Sequence, residues 1–404
     1  MKDLVQKESA AILLSKKRAV LLIVILASLQ FIFAIDYILI LPLGPKIMAD
    51  LHIGTAEYGI LIAVYTISAA VMGFLSSFFI DAYPRKHILI FALVVFMIGN
   101  IAFVLSDSFI WIVLSRILTG AFGGVLSSLV MIYLGDLFPL SKLGRNTSAI
   151  MISNAMAAIL GIPIALFIAE AYNTWRIPFA GMLLINMIVL LLCLVYMPAV
   201  NAPIKKKERK KLWHFINNPK FIWPVLFMSM LTFAGGATIL PYLSTFVMTN
   251  LSFTNTDVSF IFFCGGLAAL IVNLFIGFLI DQYGRQNTFL IINFISIIPV
   301  ILLTLSPFDN RIIILLVTTF FFGMSTARNV SGVAYLNSLM PHENRGRYVT
   351  INNSIQLMAS SVATVVSGWL LYSENNLIVN FDLLGIIAIC ATITCIFSAF
   401  VLEE

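Results

Sequence analysis

The chain has 404 residues, of which 61% are hydrophobic and 10% charged, with a mean hydropathy of +1.03. Soluble domains carry about 25% charged residues. So few charges cannot cover the apolar surface of a water-soluble fold, which excludes a cytosolic enzyme, a nucleic-acid binder and a disordered scaffold.

A helix needs about 20 residues to cross about 30 Å of hydrocarbon, so the chain has room for about twelve crossings. The apolar runs are continuous rather than alternating, which excludes a β-barrel. Residues 1–18 read as a polar tail ending in Lys16, Lys17 and Arg18. The run that follows is too long for a signal-peptide core and has no small-residue cleavage site. Apolar runs at 19–47, 55–80, 88–106, 109–134, 146–169 and 177–197 predict crossings one to six. Runs at 221–248, 257–280, 288–305, 311–336, 348–372 and 378–402 predict crossings seven to twelve. The predicted organisation is therefore a six-helix bundle at 19–198, a basic linker at 199–219 and a second six-helix bundle at 220–404. The fold class is an all-α membrane protein, two bundles related by a pseudo-two-fold axis.

An even number of crossings puts both termini on one side, and the basic residues choose it. The tail, the linker and alternate loops hold 19 Lys and Arg, against Lys46, Arg176 and Arg311 in the opposite loops. Such an excess marks the cytoplasmic side. The cluster at 205–211 reads as a solvated loop facing anionic lipid headgroups, not as a nucleic-acid site. Cys193, Cys264, Cys390 and Cys395 all lie inside apolar runs and read as small core hydrophobes. The four His lie in separate loops, and no phosphate loop is present, so neither metal nor cofactor is expected. Active transport would then have to run on an ion gradient.

The chain repeats itself. Ser77-Phe-Phe-Ile-Asp81-Ala-Tyr-Pro84-Arg85 after crossing two matches Gly277-Phe-Leu-Ile-Asp281-Gln-Tyr-Gly284-Arg285 after crossing eight, at an offset of 200. Phe138-Pro139 through Gly144-Arg145 matches Met340-Pro341 through Gly346-Arg347 at 202, and Leu41-Pro42 matches Leu240-Pro241 at 199. Three matches at nearly constant offset argue for duplication, and parallel repeats around a midplane cavity are a transporter design.

The loop after crossing two, with its second copy at Gly277, Asp281, Gly284 and Arg285, resembles the signature of the major facilitator superfamily. Arg116-Ile-Leu-Thr-Gly120 in crossing four is similar to that family's Arg-x-x-x-Gly motif. Gly161-Ile-Pro163, with Trp175-Arg176 just after it, resembles a motif of the drug:proton antiporter branch. The resemblance implies a proton-coupled exporter of small amphipathic molecules, working by alternating access in a bacterial inner membrane; a monomer is expected because one chain contains both halves of a cavity. Proton symport or uniport of a nutrient, lipid export and a non-transporting receptor are the alternatives.

Candidate functional residues are the polar groups at membrane depth. Asp36 lies 17 residues past Ala19 in crossing one. An ionisable group there is expensive and usually functional, and a carboxyl can take up and release a proton. A structural Asp bonded to a neighbouring helix is the alternative. Arg116 cannot face lipid cheaply and is expected to pair with Asp36, a carbonyl or a substrate anion; the resemblance adds a role in proton transfer. Tyr37 and Arg328 are candidate substrate contacts, with snorkelling or a structural pair the alternative for Arg328. Asn352, Gln356, Ser360, Thr364 and Ser367 recur at helical spacing, so one face of crossing eleven is polar and must meet protein or water. Gln356 aligns with Asn154 of crossing five. Cavity lining is one reading of these residues and helix packing the other. Asp81 and Arg85 are expected to form a gate latch with Asp136, and Asp281 with Arg285 its second copy, where Ser338 replaces the counterpart of Asp136. Gly120, Gly123, Gly124, Gly265 and Gly266 permit close helix approach, and Pro42, Pro45, Pro163 and Pro241 can kink helices.

Overall fold

The structure, a computed structural model, describes residues 16–80, 83–138, 140–199, 219–305, 310–339, 345–374 and 377–401. The tail before residue 16, Asp81 and the linker cluster at 205–211 lie outside the described residues. In the first half, α1 (Lys16–Ile38) and α2 (Ile40–Leu51) form crossing one, followed by α3 (Thr55–Phe79), α4 (Arg85–Leu105) and α5 (Phe109–Leu137). Crossing five comprises α6 (Leu140–Met156), a π turn (Ala157–Gly161) and α7 (Ile162–Ala171); α8 (Arg176–Tyr196) is crossing six. In the second half, α9 (Pro219–Ala237) and α10 (Leu240–Asn250) form crossing seven, followed by α11 (Asn255–Tyr283), α12 (Arg285–Thr304) and α13 (Arg311–Ser338). Then come α14 (Arg345–Leu370), a hairpin of β1 (Tyr372–Glu374) and β2 (Leu377–Val379), and α15 (Phe381–Val401).

Among the described residues, 11 helices are long and apolar enough to cross a membrane. The remaining predicted crossing, α14, has 26 residues, but its polar stripe lowers its apolarity. Its length, about 39 Å, still suffices for a crossing. Large apolar side chains such as Phe91, Leu184 and Phe275 stand exposed on the outer surface, where a bilayer rather than water can cover them.

Proline sets the irregularities. Pro42 cannot donate to Ile38 and Pro241 cannot donate to Ala237, and α1 and α9 end at those two residues. The duplicated Leu-Pro pair thus breaks the first helix of both halves at matching points. Pro163 likewise has no N–H for the carbonyl of Ile159. The preceding turn widens, so that Ile162 N–H reaches Ala157 O, five residues back.

The two halves meet along two seams and at one end. At the end opposite Lys16, Arg85 and Arg285, α2 packs on α10. The first seam, α3 against α14, is closed over a long stretch. Thr55 Oγ1 donates to Leu371 O at 2.7 Å and Gly368 O at 3.2 Å. Tyr242 OH of α10 donates to Thr364 O at 2.9 Å, and its ring meets that of Tyr58 edge-on at 6.0 Å. A Cβ on Gly59 or Gly368 would strike the Tyr242 hydroxyl, so this crossing requires glycine. Further along, Thr66 bonds Ser361 and Ser354 Oγ donates to Ala70 O at 3.4 Å. The second seam, α11 against crossing five, rests on α7 and the π turn, where Gly266 lies against Ile159 and Ala158. Toward the basic end, a cavity opens between α6 and α11.

A compact network fixes the opposite end of the first half. Trp175 Nε1 donates to Asp50 Oδ2 at 2.9 Å, and Arg176 bridges Asp50 at 3.3 Å and Asp107 at 2.8 Å. The hairpin after α14 was not predicted. It is held by the Asn250 side chain, which donates to Ile378 O at 2.8 Å and accepts from Ile378 N at 2.9 Å, as a neighbouring strand would.

Candidate functional site

Asp36 sits two residues before the break that ends α1, on the side facing α5. Both it and Arg116 have fully buried side chains. Arg116 Nη1 donates to Asp36 Oδ2 at 3.1 Å, and Nη2 donates to the Asp36 carbonyl at 3.3 Å. The guanidinium also lies 4.2 Å from the centre of the Tyr65 ring and 5.2 Å from that of Phe103, positions in which ring faces stabilise a cation. Tyr65 and Asn100 stand beside the carboxyl, yet Asp36 Oδ1 and Arg116 Nε have no well-aligned hydrogen bond. Either charge alone at this depth would be far more costly than the pair. A proton added to Asp36 would therefore leave Arg116 uncompensated and drive it to another partner, which is the chemistry of a switch.

Beside this pair lies a cavity of about 740 Å³ between the halves. Gln30, Phe33 and Tyr37 of α1 and Thr147, Ser148 and Asn154 of α6 line one side; Phe262 and Asn273 of α11 and Phe322 and Thr326 of α13 line the other. Gln30 Nε2 donates to Asn154 Oδ1 at 3.2 Å. Tyr65 connects cavity and ion pair. Its ring stacks on Tyr37 at 5.9 Å and on Phe33 at 6.1 Å, while Arg116 lies over it. Asp36 and Arg116 themselves do not reach the cavity.

Of the candidate substrate residues, Tyr37 and Asn154 line the cavity; Arg328, Asn352, Gln356 and Ser360 do not. Arg328 is 3% exposed and neither snorkels nor pairs with an acid among the described residues. It turns away from the α13 face bearing Phe322 and Thr326, donates to Thr392 Oγ1 at 3.1 Å and packs on Gly235 and Gly236. The polar stripe of α14 is spent on packing. Gln356 Nε2 donates to Ser229 Oγ of α9 at 3.1 Å, and Thr364 Oγ1 to Ala237 O at 3.3 Å. Asn352 is buried and Ser360 half-buried.

Of the expected latch, Asp81 lies outside the described residues. Arg85 and Asp136 do form an ion pair, but both belong to the first half, so the pair ties α4 to α5 rather than one half to the other. Asp281 and Arg285 are exposed and form no ion pair among the described residues. Gly284, between α11 and Arg285, has φ +82°, a left-handed conformation that favours glycine. Sequence reasoning missed Gln30, Phe33, Tyr65, Phe262, Asn273 and Phe322. Asn273 carried a signal, as a single carboxamide in the run Leu270-Ile-Val-Asn-Leu-Phe275; the aromatic residues carried none, in a chain with 33 Phe.

Comparison with known proteins adds to this geometry. The family model described as Major Facilitator Superfamily matches residues 26–246 and again 225–404. The chain is 24% identical over 245 residues to the putative transporter AraJ of Escherichia coli (strain K12), a match that spans 61% of each protein. It is 22% identical over 332 residues to the quinolone resistance protein NorA of Staphylococcus aureus (strain COL), covering 82% of this chain and 84% of NorA. Its fold is similar to the crystal structure of a point mutant of the nucleoside transporter NupG, with a TM-score of 0.78 at 16% identity, covering 95% of this chain and 100% of that one.

Proposed function

Because the chain belongs to the Major Facilitator Superfamily, a family of transporters and not of enzymes, we propose that it is a proton-coupled exporter of small amphipathic molecules that works by alternating access. It would act in a bacterial inner membrane with both termini cytoplasmic. The observation that carries this reading is the Asp36–Arg116 pair, sealed at membrane depth and separated from a mixed polar and aromatic cavity by the Tyr65 ring. Similarity to a quinolone resistance protein supports export.

In this mechanism the state described is closed at the outer end by α2 on α10 and by the α3–α14 seam. Substrate reaches the cavity between α6 and α11 and presses on Phe33 and Tyr37, which stack on Tyr65. A proton on Asp36 frees Arg116, and the free cation favours a different packing of α1 against α5. Substrate and proton thus favour opposite facing states, and each shifts the equilibrium only by its differential affinity for the two. A uniporter with a structural Asp36 is the second reading, favoured by the burial of the pair and by the two hydrogen bonds that Arg116 gives Asp36, one to its carboxylate and one to its carbonyl.

The test is flux in liposomes under an imposed pH gradient, with wild type and Asp36→Asn. Gradient-driven accumulation by wild type, lost in the variant while downhill flux remains, is expected, and the sign of the gradient gives the direction. Flux that ignores the gradient and is equal in both proteins would favour the uniporter.

A further inference from the structure

We infer that the cavity selects molecules without net charge and recognises them through carboxamides, chiefly Asn154 and Asn273. This rests on the transport reading above and names its substrate class.

Charge is the first ground. Among the described residues that line the cavity there is no Asp, Glu, Lys, Arg or His. An ion entering a space walled largely by hydrocarbon loses hydration and needs an opposite charge to replace it. Asp36 and Arg116 do not supply one: they pair with each other, are fully buried and do not line the cavity. Arg328 points into the second half, toward Thr392.

The polar groups that do line the cavity are the second ground. A carboxamide donates and accepts from one side chain, which matches the edge of an amide, a lactam or a hydroxyl-bearing ring. Asn154 uses its oxygen on Gln30, while its Nδ2 has only the weak acceptor Met151 Sδ at 3.6 Å. Asn273 makes no hydrogen bond among the described residues, although it stands in an apolar stretch of α11. Its side chain is exposed at the cavity wall, where both its N–H and its oxygen are open to water or to a ligand. The third ground is shape. Aromatic side chains line the cavity from both halves, Phe33 from the first and Phe262 and Phe322 from the second, and give a ring-bearing molecule apolar contact area.

The test is equilibrium dialysis of the full-length protein in detergent with radiolabelled compounds that share a ring and differ in charge. One series is N-acetyltryptophanamide, N-acetyltryptophan and, in weakly acidic buffer, tryptophanamide; another is benzamide, benzoate and benzylamine. The uncharged member of each series is expected to bind at least about tenfold more tightly than either ion. An ion that binds as well as the neutral compound, or failure of every member to bind, overturns the inference. Asn273→Leu is expected to weaken the neutral compound by about tenfold without helping the ions, and Asn273→Asp to raise binding of the cation. Size-exclusion chromatography confirms that each variant is folded, and the wild-type ranking needs no variant. An unchanged ranking in Asn273→Asp would overturn the role of the carboxamide. Loss of gradient-driven flux with the neutral ranking intact would contradict proton coupling and leave this inference standing.

Discussion

In the first half of the molecule Gln30 of α1 donates to Asn154 of α6; in the second, Gln356 of α14 donates to Ser229 of α9. Ser229 follows Gln30 by 199 residues and Gln356 follows Asn154 by 202, the offsets of the sequence repeat. The same helices therefore cross in both halves, with a polar contact at the same place. The first contact faces the cavity and the second is buried beside the closed α3–α14 seam. Charge differs more sharply. Asp36 and Arg116 pair in the first half, whereas the repeat positions are Gly235 and Thr318, and the second half holds Arg328, which pairs with no acid among the described residues. Duplication conserves how helices pack, because packing is what each bundle needs to form. One half can then carry the ionisable pair while the other supplies a neutral wall.

The largest effect expected from breaking this asymmetry is at the ion pair. Asp36→Ala or Arg116→Ala should destabilise the protein by about 3–5 kcal/mol, because each leaves a buried charge alone. The double variant should cost clearly less than the sum, as read by thermal unfolding in detergent; additivity would mean that the pair is not coupled. Arg328→Met, which removes a cation with no acid partner, should instead be neutral or stabilising. At the seam, Gly59→Val should cost about 1–3 kcal/mol through overpacking against Tyr242, and spin labels at the Thr55 end of α3 and the Leu370 end of α14 should move apart. Gly277→Val, where a Cβ meets nothing within 4 Å, should change neither reading.

The matching polar contacts separate by function. Ser229→Ala should cost about 1–3 kcal/mol by leaving the buried Gln356 amide unpaired, with no effect on ligand binding. Gln30→Leu should cost less in stability, since cavity water can reach Asn154, but should weaken binding in the dialysis assay. The smallest loss expected from breaking a contact is at Thr55→Val, which removes a hydroxyl bonded to two carbonyls, of Gly368 and Leu371, and should lower stability by about 1 kcal/mol in the same unfolding assay.

Much of this was legible before any coordinates. Continuous apolar runs located the crossings, and the duplicated Leu-Pro pair located the two helix breaks, because a proline cannot donate to the fourth residue before it. Asp36 and Arg116 stood out as charges inside apolar runs, and the ion pair was one of the partners expected for Arg116. The stripe from Asn352 to Ser367 was legible as a polar face, but helical period fixes a face and not the neighbour it meets. Here that neighbour was α9 rather than a cavity. For Arg85 and Asp136 the shared end and the shared half were legible; that the two side chains meet depended on how α4 packs on α5. Tyr65 was hidden because an aromatic residue in a membrane helix is ordinary, and only its position between Tyr37 and Arg116 gives it a role. The hairpin at 372–379 depends on the side chain of Asn250, more than a hundred residues away.

The central claim is that a ligand in the neutral cavity and a proton on Asp36 compete through opposite facing states. It is tested most directly by adding the tightest-binding uncharged compound to purified protein in weakly buffered solution and following pH. The account predicts proton release that saturates with ligand binding in wild type and is absent in Asp36→Asn. Binding without proton release in wild type, or equal release from both proteins, would contradict it.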